Sequence, residues 1–257
     1  MSQSNGQFVW YELMTSDAEA ATQFYQSVVG WDALRAPMPG GDYTILSVDG
    51  VGVGGLMTLT EQACAMGVPP CWTGYVGVDD VDGYVTRVTS AGGTLMRAAE
   101  DIPGVGRFAV VADPYGAAFI LFKGSSAESP APAPSGTPGH FGWHELHAGD
   151  GAGAFDFYSG LFGWTKSDAI DMGPLGIYQL FASGGAAVGG MMTKTADTPG
   201  PFWQYYINVA AIDAAAAKVE AGGGKVFMGP HQVPGGSWIV NCTDPQGAFF
   251  ALVAPQR

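Results

Sequence analysis

Two glutamates of this chain sit in matching surroundings, Trp10-Tyr11-Glu12-Leu13 and Trp143-His144-Glu145-Leu146. A carboxylate among aromatic side chains can serve as a general base or fix a ligand by hydrogen bonding. It can equally be a structural acceptor for nearby Tyr or Trp donors. Recurrence does not choose between these roles, because a duplication copies either. His140, His144 and His147 crowd the second stretch, and His231 follows much later. If each stretch is a strand, alternate residues share a face. Trp10, Glu12 and Met14 then point together, as do Trp143, Glu145 and His147, while His144 points the other way. Glu145 and His147, joined by Gln204 from a later strand, make the best divalent-metal hypothesis; structural or rim histidines are the simpler account.

Other chemistry-bearing patterns carry less. Cys64, Cys71 and Cys242 form an odd set with no C-x-x-C spacing. Neither a zinc site nor a redox pair is indicated, and three packing cysteines in a reducing cytoplasm are expected. The glycine-rich run 50–55 opens no helix and so is no dinucleotide loop. No Gly-x-Ser-x-Gly elbow is present. Met14, Met57, Met191 and Met192 read as packing.

The elements that position these residues come from a chain of 257 residues, 47% hydrophobic and only 13% charged. Such a chain can bury a substantial core. Its formal net charge of −13 repels phosphate backbones and anionic lipid surfaces, so neither nucleic acid nor membrane is an expected partner. No apolar run is long enough to span a bilayer, and the first residues have no signal-peptide pattern.

The strongest signal is an internal repeat. Trp10-Tyr11-Glu12-Leu13, Phe24-Tyr25 and Gly30-Trp31 return 133 residues later, the last two as Phe157-Tyr158 and Gly163-Trp164. Val53-Gly54-Gly55 returns as Val188-Gly189-Gly190, Trp72 and Tyr75 as Trp203 and Tyr206, and Asp113-Pro114 as Asp244-Pro245. Domains are expected over residues 4–123 and 139–257. Between them, residues 124–138 carry Pro130, Pro132 and Pro134 alternating with alanine, a semi-stiff polyproline spacer.

Within each half the pattern predicts strand, helix and strands, twice over. Residues 8–14 read as a strand. Ser16 and Glu19 form a capping box, Ala21, Phe24, Tyr25 and Val28 give the helix one apolar face, and Gly30 ends it. Strands follow at 43–48 and through the Val-Gly-Gly segment. The second unit has a strand at 72–78, a stripe of Val81, Tyr84, Val85 and Val88, and strands at 108–111 and 118–122 joined by a turn at Asp113 to Gly116. In the second half Asp150 caps the first helix, whose start Gly151 and Gly153 weaken.

This pattern resembles the vicinal oxygen chelate superfamily, which includes glyoxalase I, bleomycin-resistance proteins and extradiol dioxygenases. The resemblance is carried by Phe24-Tyr25, Gly30-Trp31, Gly92-Gly93 and Asp113-Pro114-Tyr115-Gly116. It is carried again by Phe157-Tyr158, Gly163-Trp164, Gly223-Gly224 and Asp244-Pro245-Gln246-Gly247. It implies an α+β fold of two tandem glyoxalase-like domains, each of two βαβββ units that form a curved-sheet cup with helices outside. In members that bind metal, first- and last-strand residues supply the ligands. Those positions fall here on Trp10 and Trp143, near Thr73 and Gln204, and near Ile120 and Ala251. Trp, Ile and Ala cannot ligate a metal, so no metal or other cofactor is expected, with a divalent metal at Glu145, His147 and Gln204 as the fallback.

The expected function is binding of a small organic molecule in an aromatic-lined cup. Trp10, Met14, Thr73 and Tyr75 would line one cup, and Trp143, His147, Gln204 and Tyr206 the other. Glu12 and Glu145 are the candidate catalytic groups. The alternative is a metal-dependent lyase, isomerase or dioxygenase acting through the second domain. A monomer closed by domain pairing, or a homodimer, is expected.

Overall fold

The structure is a computed structural model that describes residues 5–38, 41–126 and 133–257. Pro130 and Pro132 of the expected spacer lie outside them, as do residues 1–4. The first half runs β1 (Phe8–Thr15), α1 (Ala18–Val29), β2 (Asp32–Met38), β3 (Gly41–Val48), β4 (Val51–Thr58), α2 (Glu61–Ala65), β5 (Cys71–Gly77), α3 (Val81–Ser90), β6 (Thr94–Ile102), β7 (Gly106–Ala112) and β8 (Ala118–Gly124). The second half repeats it as β9 (Phe141–Ala148), α4 (Gly151–Phe162), β10 (Thr165–Asp171), β11 (Ile177–Ala182), β12 (Ala187–Thr193), β13 (Phe202–Asn208), α5 (Ile212–Ala221), β14 (Lys225–Gln232), β15 (Trp238–Thr243) and β16 (Phe249–Ala254). Each half is thus two βαβββ modules.

Each half contributes one eight-stranded sheet, in the order β2-β3-β4-β1-β5-β8-β7-β6 and β10-β11-β12-β9-β13-β16-β15-β14. Strand β1 runs parallel to β4, and β9 to β12. A parallel neighbour needs a long crossover, which α1 and α4 supply. The edge strands β2, β6, β10 and β14 were not expected from the sequence. β6 and β10 are exposed along nearly their whole length, so no burial alternation marks them.

The helices follow their apolar stripes. Helix α1 buries Ala21, Phe24, Tyr25 and Val28, and Gly30 closes it with φ 89°. The expected capping box is replaced by a cap one residue later, where Asp17 accepts a 3.0 Å bond from the Ala20 N–H. In α3, Val81, Tyr84 and Val88 are buried and Val85 is only half-buried. Asp150 caps α4 through the Ala152 N–H. Gly153, expected only to weaken that helix, lies where a side chain would collide with the Tyr115 hydroxyl. Cys71 and Cys242 are at least half-buried, but Cys64 is exposed and is not a packing cysteine.

Packing divides the chain into two compact units that cut across the halves. One comprises Met1–Val9, Gly74–Ala131 and Trp143–Gln204; the other comprises Trp10–Thr73, Pro132–Gly142 and Tyr205–Arg257. Each unit therefore joins a module of one half to a module of the other, and the repeated signature residues make the junction. In the first unit the Trp203 indole donates to the Tyr158 hydroxyl at 3.0 Å, which donates to Asp113 Oδ2 at 3.3 Å. In the second unit Trp72 donates to Tyr25 at 2.8 Å, and Tyr25 to Asp244 Oδ2 at 3.2 Å. Each aspartate uses Oδ1 to accept two N–H bonds within its own Asp-Pro turn. Tyr25 and Tyr158 are fully buried, so these relays satisfy polar groups that would otherwise be costly inside the core. Burial raises both carboxyl pKa values, against the lowering effect of the hydrogen bonds each accepts.

Candidate functional site

The predicted face of the first strand is real in both halves. In the second unit, the Trp10 indole N–H donates to the Tyr43 hydroxyl at 2.9 Å, and that hydroxyl is hydrogen-bonded to the Glu12 carboxylate. In the first unit the same trio recurs. Trp143 donates to the Tyr178 hydroxyl at 2.7 Å, and Tyr178 donates to Glu145 Oε2 at 2.9 Å. Burial first, then the neighbouring glutamate charge, pushes both phenol pKa values well above the ordinary range. Both tyrosines therefore stay protonated and act as donors, never as phenolate bases.

Glycine makes this trio possible. The register sets Glu12 opposite Gly55 and Glu145 opposite Gly190. A methyl on Gly55 or Gly190 would land on the ring and hydroxyl of Tyr43 or Tyr178. With glycine there, the tyrosine of the neighbouring strand lies across β4 or β12 and reaches the first strand. Tyr43 and Tyr178 were absent from the sequence-derived set. They stand 135 residues apart, the same offset as Gly55 and Gly190, and that shared offset was the available signal.

The copies differ beyond the trio. His147 Nε2 lies 2.8 Å from Glu145 Oε1, but off the line of an aligned hydrogen bond, so the contact is electrostatic. Its ring stacks on Phe202 at 4.7 Å between centroids. The equivalent residue in the first half is Met14, half-buried. His144 faces away, as strand parity requires. It is buried, stacked on Phe8 at 4.2 Å, with Nδ1 2.7 Å from the Val188 carbonyl, and burial lowers its pKa to about 4. It is a neutral structural histidine.

The remaining predicted residues are floor rather than accessible wall. Thr73, Tyr75, Gln204 and Tyr206 are buried. Thr73 neighbours Cys71 Sγ at 4.0 Å in the second unit, and Tyr75 packs edge-on to Phe122 in the first. Gln204 belongs to the first unit with Glu145 and His147, whereas Tyr206 belongs to the second. Trp10, Met14, Trp143 and His147 keep partly open surfaces. Two surface depressions lie elsewhere. One of about 490 Å³ is lined by the start of α1 with Arg35, Asp42 and Thr44; the other, of about 360 Å³, is lined by Arg87, Ser90 and Asp156 among others.

A divalent metal, which the fold family implies, is tested by the donor set. Catalytic sites take three protein ligands or more. The family positions near Ile120 and Ala251 are apolar and buried, and Trp10 and Trp143 donate to tyrosine. Among the described residues no three His, Cys, Asp or Glu side chains gather. Glu145 Oε2 is committed to Tyr178, leaving Oε1 and His147 Nε2. Two such donors do not fit the ordinary set, and no step is derived through a metal.

Comparisons with known proteins agree with this scaffold. A Mycobacterium tuberculosis protein named "Putative glyoxylase CFP32" is 34% identical over 248 residues, covering 96% of this chain and 94% of that protein. The Streptomyces peucetius "Anthracycline biosynthesis protein DnrV" is 33% identical over 260 residues, covering 95% and 91%. Among solved structures, the Mn(II)-bound glyoxalase of Novosphingobium aromaticivorans superposes with a TM-score of 0.68 at 15% identity, covering 98% of this chain and 83% of that one. The 2,2',3-trihydroxybiphenyl 1,2-dioxygenase of Sphingomonas wittichii gives 0.67 at 15% identity, covering 96% and 89%. At that identity the two structures show a shared fold alone. Residues 7–121 and 137–252 each match the family described as Glyoxalase/Bleomycin resistance protein/Dioxygenase superfamily, and the chain belongs to it.

Proposed function

We propose that the protein binds a small, largely aromatic or apolar organic molecule against the Trp–Tyr–Glu clusters of its two halves, without a resident divalent metal. One observation carries the reading: in each half a glutamate is pinned by a tyrosine hydroxyl beside a tryptophan that keeps part of its ring open. An apolar wall with one fixed polar group is how small-molecule sites gain both affinity and orientation. The family's bleomycin-resistance members and the Streptomyces relatives named for anthracycline biosynthesis support a bulky organic ligand. The test is a screen of aromatic and apolar compounds by tryptophan fluorescence and thermal shift. Saturable binding quenched by Trp10→Phe or Trp143→Phe is expected; a protein that binds no member of a broad library sinks the reading.

A second reading has one specific support, the 2.8 Å contact of His147 with Glu145. Such a pair can move a proton, so the second half could carry acid–base catalysis of the lyase or isomerase type. Activity lost in Glu145→Gln with the fold retained would favour it. Divalent metal measured at one equivalent, and lost in His147→Ala, would favour its metal-dependent form.

A further inference from the structure

The inference concerns the charge of the ligand and rests on the small-molecule reading above. On the face of the first strand that carries the glutamate, the two copies match at tryptophan and at glutamate and differ at one residue, Met14 against His147. In the second half the imidazole Nε2 stands 2.8 Å from Glu145 Oε1. That is the distance at which an ammonium nitrogen would bind a carboxylate, so the ring occupies the place a ligand cation would take. Stacking on Phe202 at 4.7 Å and an interplanar angle of 10° holds it there. In the first half the corresponding side chain is an uncharged thioether, flexible and polarizable. Around Glu12 stand the Trp10 indole and the Tyr43 ring, joined at 2.9 Å. Aromatic faces attract cations, Trp most strongly, and a carboxylate adds to that attraction.

We propose that the residue at this position sets ligand charge: Met14 makes the first cup a receptor for a protonated amine bearing an aromatic group, and His147 makes the second cup accept the uncharged analogue instead. The duplication thereby yields two sites of different specificity from one constellation. The formal net charge of −13 favours approach of the cation throughout.

The two indole N–H groups of Trp10 and Trp143 report on the cups separately, since each is a defined hydrogen-bond donor. The full chain, labelled with ¹⁵N, is titrated with 2-phenylethylamine, charged at neutral pH, and with 2-phenylethanol, a neutral molecule of the same size. The amine is expected to shift the Trp10 indole signal with at least about tenfold tighter apparent affinity than the Trp143 signal, which is ~1.4 kcal/mol. Met14→His removes that preference, and His147→Met brings the amine to the Trp143 signal. The two exchanges are independent, so one that failed to fold would leave the other decisive. Equal response of both signals to the amine, or a preference unmoved by a folded exchange variant, overturns the proposal. If the alcohol shifts either indole while the amine shows no preference, the charge assignment falls and the binding reading stands. If neither probe moves either signal up to the solubility limit, the charge assignment falls, and the compound screen decides the broader reading.

Discussion

Replacing Gly190 by alanine tests whether the Trp143–Tyr178–Glu145 cluster is held by the absence of one methyl group. The new Cβ would overlap the Tyr178 ring, and Tyr178 would have to swing away. Two bonds break: Trp143 to Tyr178 at 2.7 Å and Tyr178 to Glu145 at 2.9 Å. A neutral bond contributes roughly 1 kcal/mol and one to a charged group about 1.5–3. The intrinsic gain of Gly→Ala within a strand returns about 0.5–1. The expected net loss is about 2–3 kcal/mol, read from urea unfolding with unchanged slope. Tyr178→Phe removes both bonds without overlap. It should cost a similar amount alone and little in the Gly190→Ala background, because the bonds are already gone there. Gly160→Ala is the control. It lies in α4 with nothing within 4 Å of its added Cβ, and it should stabilise by about 0.5–1 kcal/mol. Gly190→Ala within ~0.5 kcal/mol of the parent, with the Trp143 indole signal unmoved, would refute the reasoning.

Three further outcomes follow from the same structure. His144 is neutral when folded, its pKa lowered from 6.5 to about 4 by burial; the unfolded chain binds the extra proton, so stability is full above about pH 6.5 and falls toward pH 4. The loss is about 3 kcal/mol, seen as the difference between parent and His144→Gln stability curves, which cancels the opposite drift from Asp113 and Asp244; parallel curves would contradict the assignment. Asp244→Ala strips acceptors from the Tyr25 hydroxyl and two turn N–H groups and should cost about 3–5 kcal/mol in denaturant unfolding, whereas Tyr25→Phe should cost about 1–2; equal effects would mean the turn bonds contribute nothing. Elemental analysis after incubation with nickel, zinc, iron or manganese should find less than one equivalent of metal, and a stoichiometric ion that survives dialysis would overturn the reading of the donor set.

Much of this molecule is legible in its sequence because strand parity and helical stripes are local properties. Trp10, Glu12 and Met14 share a face simply because they alternate on one strand, and His144 must oppose Glu145 for the same reason. The repeat itself, and with it the family, follows from residue identity alone. Edge strands such as β6 and β10 are different. Exposed along nearly their whole length, they carry no burial rhythm to read. Tyr43 and Tyr178 escaped for another reason: a helix and a strand separate them from their glutamates, and only the sheet register brings them back across glycine. Above all, duplication hides its own pairing. Tyr25 could have met the aspartate of either Asp-Pro turn, since the two turns are near-copies. The core settles that choice, joining Tyr25 to Asp244 and Tyr158 to Asp113. Similar sequences offer similar partners, and only the packed three-dimensional contacts distinguish one from the other.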